Sequence, residues 1–94
     1  MSEKRFDSVW DAIEDSPAIA ANMKARSALM ISICEAVASW KLTQAKAAKR
    51  LGVTQPRMND LLRGRIDKFS LDALMILASA AGLEVRWRVV KAAA

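Results

Sequence analysis

The sequence predicts an all-α fold of five helices followed by one β-strand, and three patterns carry that expectation. Through most of the 94 residues, apolar side chains recur at three- and four-residue spacing, the period of an amphipathic helix. Residues 42–65, LTQAKAAKRLGVTQPRMNDLLRGR, hold two short amphipathic segments separated by Gly52, the pattern of two helices joined by a tight turn. Near the C-terminus the period changes: in LEVRWRVV, Leu83, Val85 and Trp87 alternate with Glu84, Arg86 and Arg88, which is the two-residue repeat of a strand.

The elements follow in order. Phe6, Val9, Trp10 and Ile13 line one face of a short acidic helix within 1–15, with Asp7 as its cap. Ser16-Pro17 then restarts the chain as a helix of roughly twenty residues running towards Trp40, because Ser caps well and Pro is tolerated at the first helical position. Met30, Cys34 and Val37 read as one apolar stripe and Leu29, Ile33 and Trp40 as another, so this helix is expected to be covered on both sides. Helices at about 43–51 and 55–63 come next. Ser70 caps a further helix whose Leu71, Leu74, Met75, Leu77 and Ala78 face inward, and Gly82 ends it. The expected organisation is one domain over 1–94: an acidic N-terminal helix at 1–15, a helical core at 16–82 with the paired helices at 43–63, and a strand at 83–90.

Composition excludes several functions. The chain has no histidine and one cysteine, Cys34, so an internal disulfide and a Cys/His zinc site are ruled out, and Cys34 reads as a small buried hydrophobe. The carboxylates are scattered over polar faces, and no metal, cofactor or catalytic group is expected. The N-terminus shows no signal peptide and no apolar run approaches the ~20 residues of a membrane span, which predicts a cytoplasmic protein. Charge is uneven: residues 1–22 carry two cations against five carboxylates, net −3, and the remainder carries thirteen against five, net +8. Within 41–65, Lys41, Lys46, Lys49, Arg50, Arg57, Arg63 and Arg65 face only Asp60, a concentration that suits a polyanion.

The paired helices refine that partner. Leu51-Gly52-Val53-Thr54 supplies a turn, Ala47 and Ala48 allow close approach, and Leu51, Val53, Met58 and Leu61 plug the angle between the helices. With Met58 and Leu61 inward, the helical period sends Gln55, Pro56, Asn59, Asp60 and Arg63 outward and puts Arg57 on a flank. Gln and Asn can each make two hydrogen bonds to adenine in the major groove, and Arg can do so to guanine or can grip a phosphate. Thr54 as N-cap is expected to leave the amides of that helix N-terminus open to a phosphate. Thr54, Gln55, Pro56, Asn59 and Asp60 are the candidate base-reading residues. Lys46, Lys49, Arg50, Arg57, Arg63 and Arg65 are candidate phosphate contacts, while Lys24, Lys68 and Lys91 read as solvated.

This stretch resembles the helix-turn-helix of the Xre/Cro-type repressors. The resemblance rests on Thr43-Gln44, Ala47-Ala48, Gly52, Val53-Thr54-Gln55, Met58 and Gly64, and it implies a lambda-repressor-like fold. It also implies a phosphate contact for Gln44 and groove-facing positions for Thr54, Gln55, Pro56 and Asp60. Pro56 there meets a thymine methyl, and Asp60 accepts from cytosine N4 or pairs with Arg57 or Arg63. The following FSLDALMILASAAGLEVRWRV is similar to HigA-like antitoxins, which implies a repressor of its own operon that neutralises a RelE/HigB-type toxin. The competing readings are a solitary regulator without a toxin and an RNA- or protein-binding helical module. A lone strand cannot satisfy its own backbone groups. Leu83, Val85, Trp87 and Val89 are therefore expected to pair with a second copy about a twofold axis; pairing with a toxin sheet and an extended tail lying on its own helices are the alternatives.

Overall fold

The computed structural model describes residues 17–93, so the helix expected over 1–15 lies outside the described residues. Among them are four helices: α1 (Pro17–Trp40), α2 (Gln44–Leu51), α3 (Gln55–Leu62) and α4 (Leu71–Ala80), with a 3-10 turn at Ile66–Lys68 between the last two. Each falls where the apolar period and the capping residues place it.

The core is shared by all four. Met30, Ile33 and Val37 of α1, Ala47, Ala48 and Leu51 of α2, Met58 and Leu61 of α3, Phe69, and Leu74, Leu77 and Ala78 of α4 are buried together. α1 packs chiefly on α4, and α2 on α3. The two apolar stripes expected on α1 are one. Ile33 and Val37 lie at its centre, and Leu29, Cys34 and Trp40 are half-buried on its flanks, packed on the same core. At 100° per residue these positions span a single arc of about 140°, so one packed face accounts for all of them.

The helix ends are set by local hydrogen bonding. Thr43, Thr54 and Ser70 hold extended backbone angles, and each hydroxyl oxygen accepts from the amide three residues on. Between α2 and α3 the chain reverses within Gly52 and Val53. Gly52 has φ 84°, its N–H reaches the Lys49 carbonyl at 3.2 Å, and the Val53 N–H reaches the Ala48 carbonyl at 2.9 Å. This closure satisfies carbonyls that the helix end leaves unpaired, and it needs a residue that enters the left-handed region without strain. Gly82 closes α4 as expected, with the Leu83 N–H on the Ala78 carbonyl at 2.9 Å.

Two expectations change. Residues 83–90 form no strand, because a strand needs a neighbouring ladder and no backbone hydrogen bond joins residues 84–93 to any other described residue. The alternation is nonetheless present in burial. Leu83 and Val85 pack half-buried against the core, while Glu84 and Arg86 are exposed and paired with each other at 3.4 Å. Beyond Val85 the side chains turn to solvent, with Trp87 64% and Val89 92% exposed. Cys34 is half-buried rather than sealed: its Sγ donates to the Leu61 carbonyl at 3.5 Å, and burial pushes the thiol up from its ordinary value. No helix among the described residues is long and apolar enough to cross a membrane.

The Gly52 turn is open to test. A methyl group there would meet no atom within 4 Å, so Gly52→Ala strains only the backbone. Chemical denaturation followed by circular dichroism should show a loss of about 1 kcal/mol, the cost of an L-residue in the left-handed region.

Candidate nucleic-acid interface

The orientation of α3 follows from its two buried side chains. Met58 and Leu61 are sealed in the core, and the helical period then leaves Gln55, Pro56, Asn59 and the cap residue Arg63 on the opposite, exposed side. Gln55 and Asn59 stand one turn apart on that surface, where two carboxamides can address neighbouring base edges. Thr54 is exposed just before them. Its side chain already accepts from the Arg57 amide at 3.3 Å, and Pro56 has no amide. The open N-terminus expected for phosphate binding is therefore reduced to the Thr54 and Gln55 N–H groups, because the cap consumes one donor and proline deletes another. On α2, Gln44 is exposed at the first helical position after the Thr43 cap, whose hydroxyl takes the Lys46 amide at 3.2 Å.

The cations of this region divide into two groups. Lys46, Lys49 and Arg63 are exposed with no partner among the described residues, as phosphate contacts need to be. Arg50 is exposed but has its guanidinium 4.1 Å from the centre of the Trp40 ring, a contact that holds it to the end of α1 while leaving its charge accessible. Arg65 lies with Nε 3.8 Å from Asp60 Oδ1, both groups partly exposed. Asp60 thus pairs with neither Arg57 nor Arg63. The reversal of the chain at Gly64, where the Arg65 N–H donates to the Asp60 carbonyl at 3.0 Å, brings Arg65 back beside the last turn of α3. Arg57 departs furthest from a phosphate role: half-buried, it stacks on the Phe69 ring at 4.1 Å and its Nη1 donates to the Lys68 carbonyl at 2.8 Å.

Two further residues escaped sequence reasoning. Arg26 of α1 sends Nη1 to the Ile66 and Phe69 carbonyls at 3.2 and 3.3 Å, while its Nε is buried without a partner. Phe69, buried beside Leu74, occupies the position before the Ser70 cap, and Leu74 sits four residues into α4; this is the spacing of a hydrophobic staple, a signal present in FSLDAL. For Arg26 the only hint was a cation between Ala25 and Ser27, two positions after Lys24 in α1.

Two short capped helices joined through a glycine turn, the second presenting carboxamides flanked by cations, define a DNA-binding helix-turn-helix. The chain belongs to a family of helix-turn-helix domains, whose profile matches residues 12–90 and so covers all four helices and most of the tail. No functionally curated protein matches it.

Asp60 is the one carboxylate on the exposed half of α3. Asp60→Asn should remove a repulsive charge and release Arg65, strengthening binding to a mixed-sequence duplex several-fold and steepening its salt dependence by about one unit. Fluorescence-anisotropy titrations at several salt concentrations measure both; an unchanged slope would place Asp60 away from the DNA.

Proposed function

We propose that this protein is a sequence-specific double-stranded DNA-binding repressor that acts as a dimer and, as an antitoxin, regulates its own operon while neutralising a RelE/HigB-type toxin. The observation that carries the DNA-reading part is the pairing of Gln55 and Asn59 on the exposed side of α3, opposite Met58 and Leu61, with Lys46 and Lys49 free on the preceding helix. Carboxamides read adenine, the amines hold phosphates without regard to sequence, and the division of labour gives distinct mutational signatures. The antitoxin role rests on the resemblance of residues 69–89 to HigA-like proteins. A small basic RelE-like reading frame next to the gene supports it, and none there favours a solitary regulator.

The dimer is supported by the tail. Its backbone groups from 84 onward make no backbone hydrogen bond among the described residues, and it exposes Trp87, Val89 and Val90. An antiparallel pairing centred on Arg86 would set Glu84 of one copy against Arg88 of the other, and Val85 against Trp87. The Glu84–Arg88 pairs and the apolar pairs are then matched, while Arg86 meets its own copy on the axis. Such a dimer presents two α3 helices to successive major grooves about 34 Å apart and reads a nearly palindromic operator.

Gln55→Ala should cost about 1 to 3 kcal/mol on the preferred duplex and relax preference at one or two base positions. Lys49→Ala should weaken all duplexes alike and reduce the salt slope by about one unit. A titration across duplexes selected from a random pool separates the two; equal losses on every sequence for Gln55→Ala remove it from the reading set. Uniformly weak, salt-sensitive binding by the unmodified protein would instead favour an RNA- or protein-binding module.

Arg86 is exposed, so Arg86→Pro tests the tail without touching the core. It should convert the dimer to a monomer in sedimentation equilibrium, with helicity retained, and lower operator affinity because the half-site contacts are no longer linked. A variant that remains dimeric and binds normally assigns the tail another role.

A further inference from the structure

The connection from α3 to α4, residues 64–69, is tied down by three arginines from three directions. Arg26 of α1 donates to the Ile66 and Phe69 carbonyls, Arg57 of α3 donates to the Lys68 carbonyl and covers the Phe69 ring, and Arg65 returns to Asp60. Of the three, only Arg57 belongs to the first turn of the recognition helix. Its stacking at 4.1 Å and hydrogen bond at 2.8 Å hold Lys68, whose side chain is exposed, next to the end of α3 that carries Gln55 and Pro56.

We propose that Arg57 is a positioning residue for DNA recognition rather than a DNA ligand: it latches the 64–69 loop to the recognition helix so that Lys68 stands at a fixed place beside it and meets the sugar-phosphate backbone. The latch rests on the DNA-binding reading of α3. A guanidinium is suited to it, since a planar fork can stack on an aromatic face and donate in its own plane at once; an ammonium of equal charge cannot do both. The ring it covers is 2% exposed, so Phe69 cannot reach DNA itself. Fixing a loop before binding also removes ordering entropy from the binding step, which is how a residue that touches no DNA raises affinity for it. Lys68 thereby changes from a solvated surface charge to part of the interface, a role that emerges only once the loop is seen folded back on α3.

The experiment uses the full chain, unmodified and as Arg57→Lys, Lys68→Ala and the double variant, with Arg57→Met as a second truncation of the latch and thermal melting to show that each is folded. The duplexes are one selected from a random pool by the unmodified protein and one of mixed sequence. Amide hydrogen exchange is measured without DNA at Ile66, Lys68 and Phe69, whose N–H groups are bonded to Gly64, Arg65 and Ile66 carbonyls within the loop.

The expected result has three parts. Arg57→Lys exchanges those amides about tenfold faster. It also loses about tenfold in affinity for the selected duplex although its charge is unchanged. Lys68→Ala lowers affinity and reduces the salt slope by about one unit in the unmodified background, but has no further effect when combined with Arg57→Lys. A residue needed only for folding would leave the Lys68 effect intact in the double variant.

Several results overturn the proposal. Arg57→Lys binding like the unmodified protein shows that the guanidinium is dispensable, and lost affinity with unchanged exchange makes Arg57 a direct ligand. A Lys68→Ala that costs nothing in the unmodified background leaves the latch nothing to position. If the unmodified protein selects no duplex at all, the DNA reading itself fails and takes the latch with it, an outcome distinct from selective binding by the unmodified protein with unaffected variants.

Discussion

The rotational setting of α3 governs the rest of the structure. Met58 and Leu61 are sealed against a surface that includes Ala47, Ala48 and Leu51, and burying two such side chains is worth several kcal/mol relative to leaving them in water. No rotation of α3 by even one residue keeps both inside. The same constraint that stabilises the core therefore decides that Gln55 and Asn59 face outward. Because only three residues separate α2 from α3 and the turn is closed by hydrogen bonds to Ala48 and Lys49, the start of α3 is placed as firmly as its rotation.

Around that element the chain uses arginine and lysine differently. Lys46 and Lys49 stand free in solvent, where a flexible ammonium can follow a phosphate. Arg26, Arg50 and Arg57 have their guanidinium groups engaged with backbone carbonyls or aromatic rings. These contacts do in a small domain what additional apolar residues do in a larger one. They tie α1 to the connection before α4, and the connection to the recognition helix, beside the core that Phe69 enters and Ile66 packs against. The strongly basic composition thus has two origins, one in a polyanion partner and one in the internal bracing of the fold.

The tail shows a third use of the sequence pattern. Leu83 and Val85 complete the core by covering α1 and α4, whereas Trp87 and Val89, in phase with them, extend past the edge of the domain into solvent. A single period of alternation therefore serves an intramolecular contact for its first half and remains available for its second.

Residue spacing alone determined the helices, their caps and the outward set on α3, because these depend on interactions between neighbours three or four positions apart. Thr54 with the Arg57 amide, Gly52 with Lys49, and Ser70 with Ala73 are all of this kind. What tertiary structure decided are pairings across long separations. Arg26 meets a loop forty residues away and Arg57 meets Phe69 and Lys68, which makes Arg57 a brace where its charge and its place on the helix had suggested a phosphate contact. Asp60 chose Arg65 over two nearer candidates because the chain doubles back at Gly64. The strand was readable as a period and not as a structure, since a ladder is a property of two segments and the alternation describes one. Local hydrogen bonds and helical phase are written in short words of sequence; the partners of long, charged side chains depend on where the chain returns, and only the packed fold supplies that.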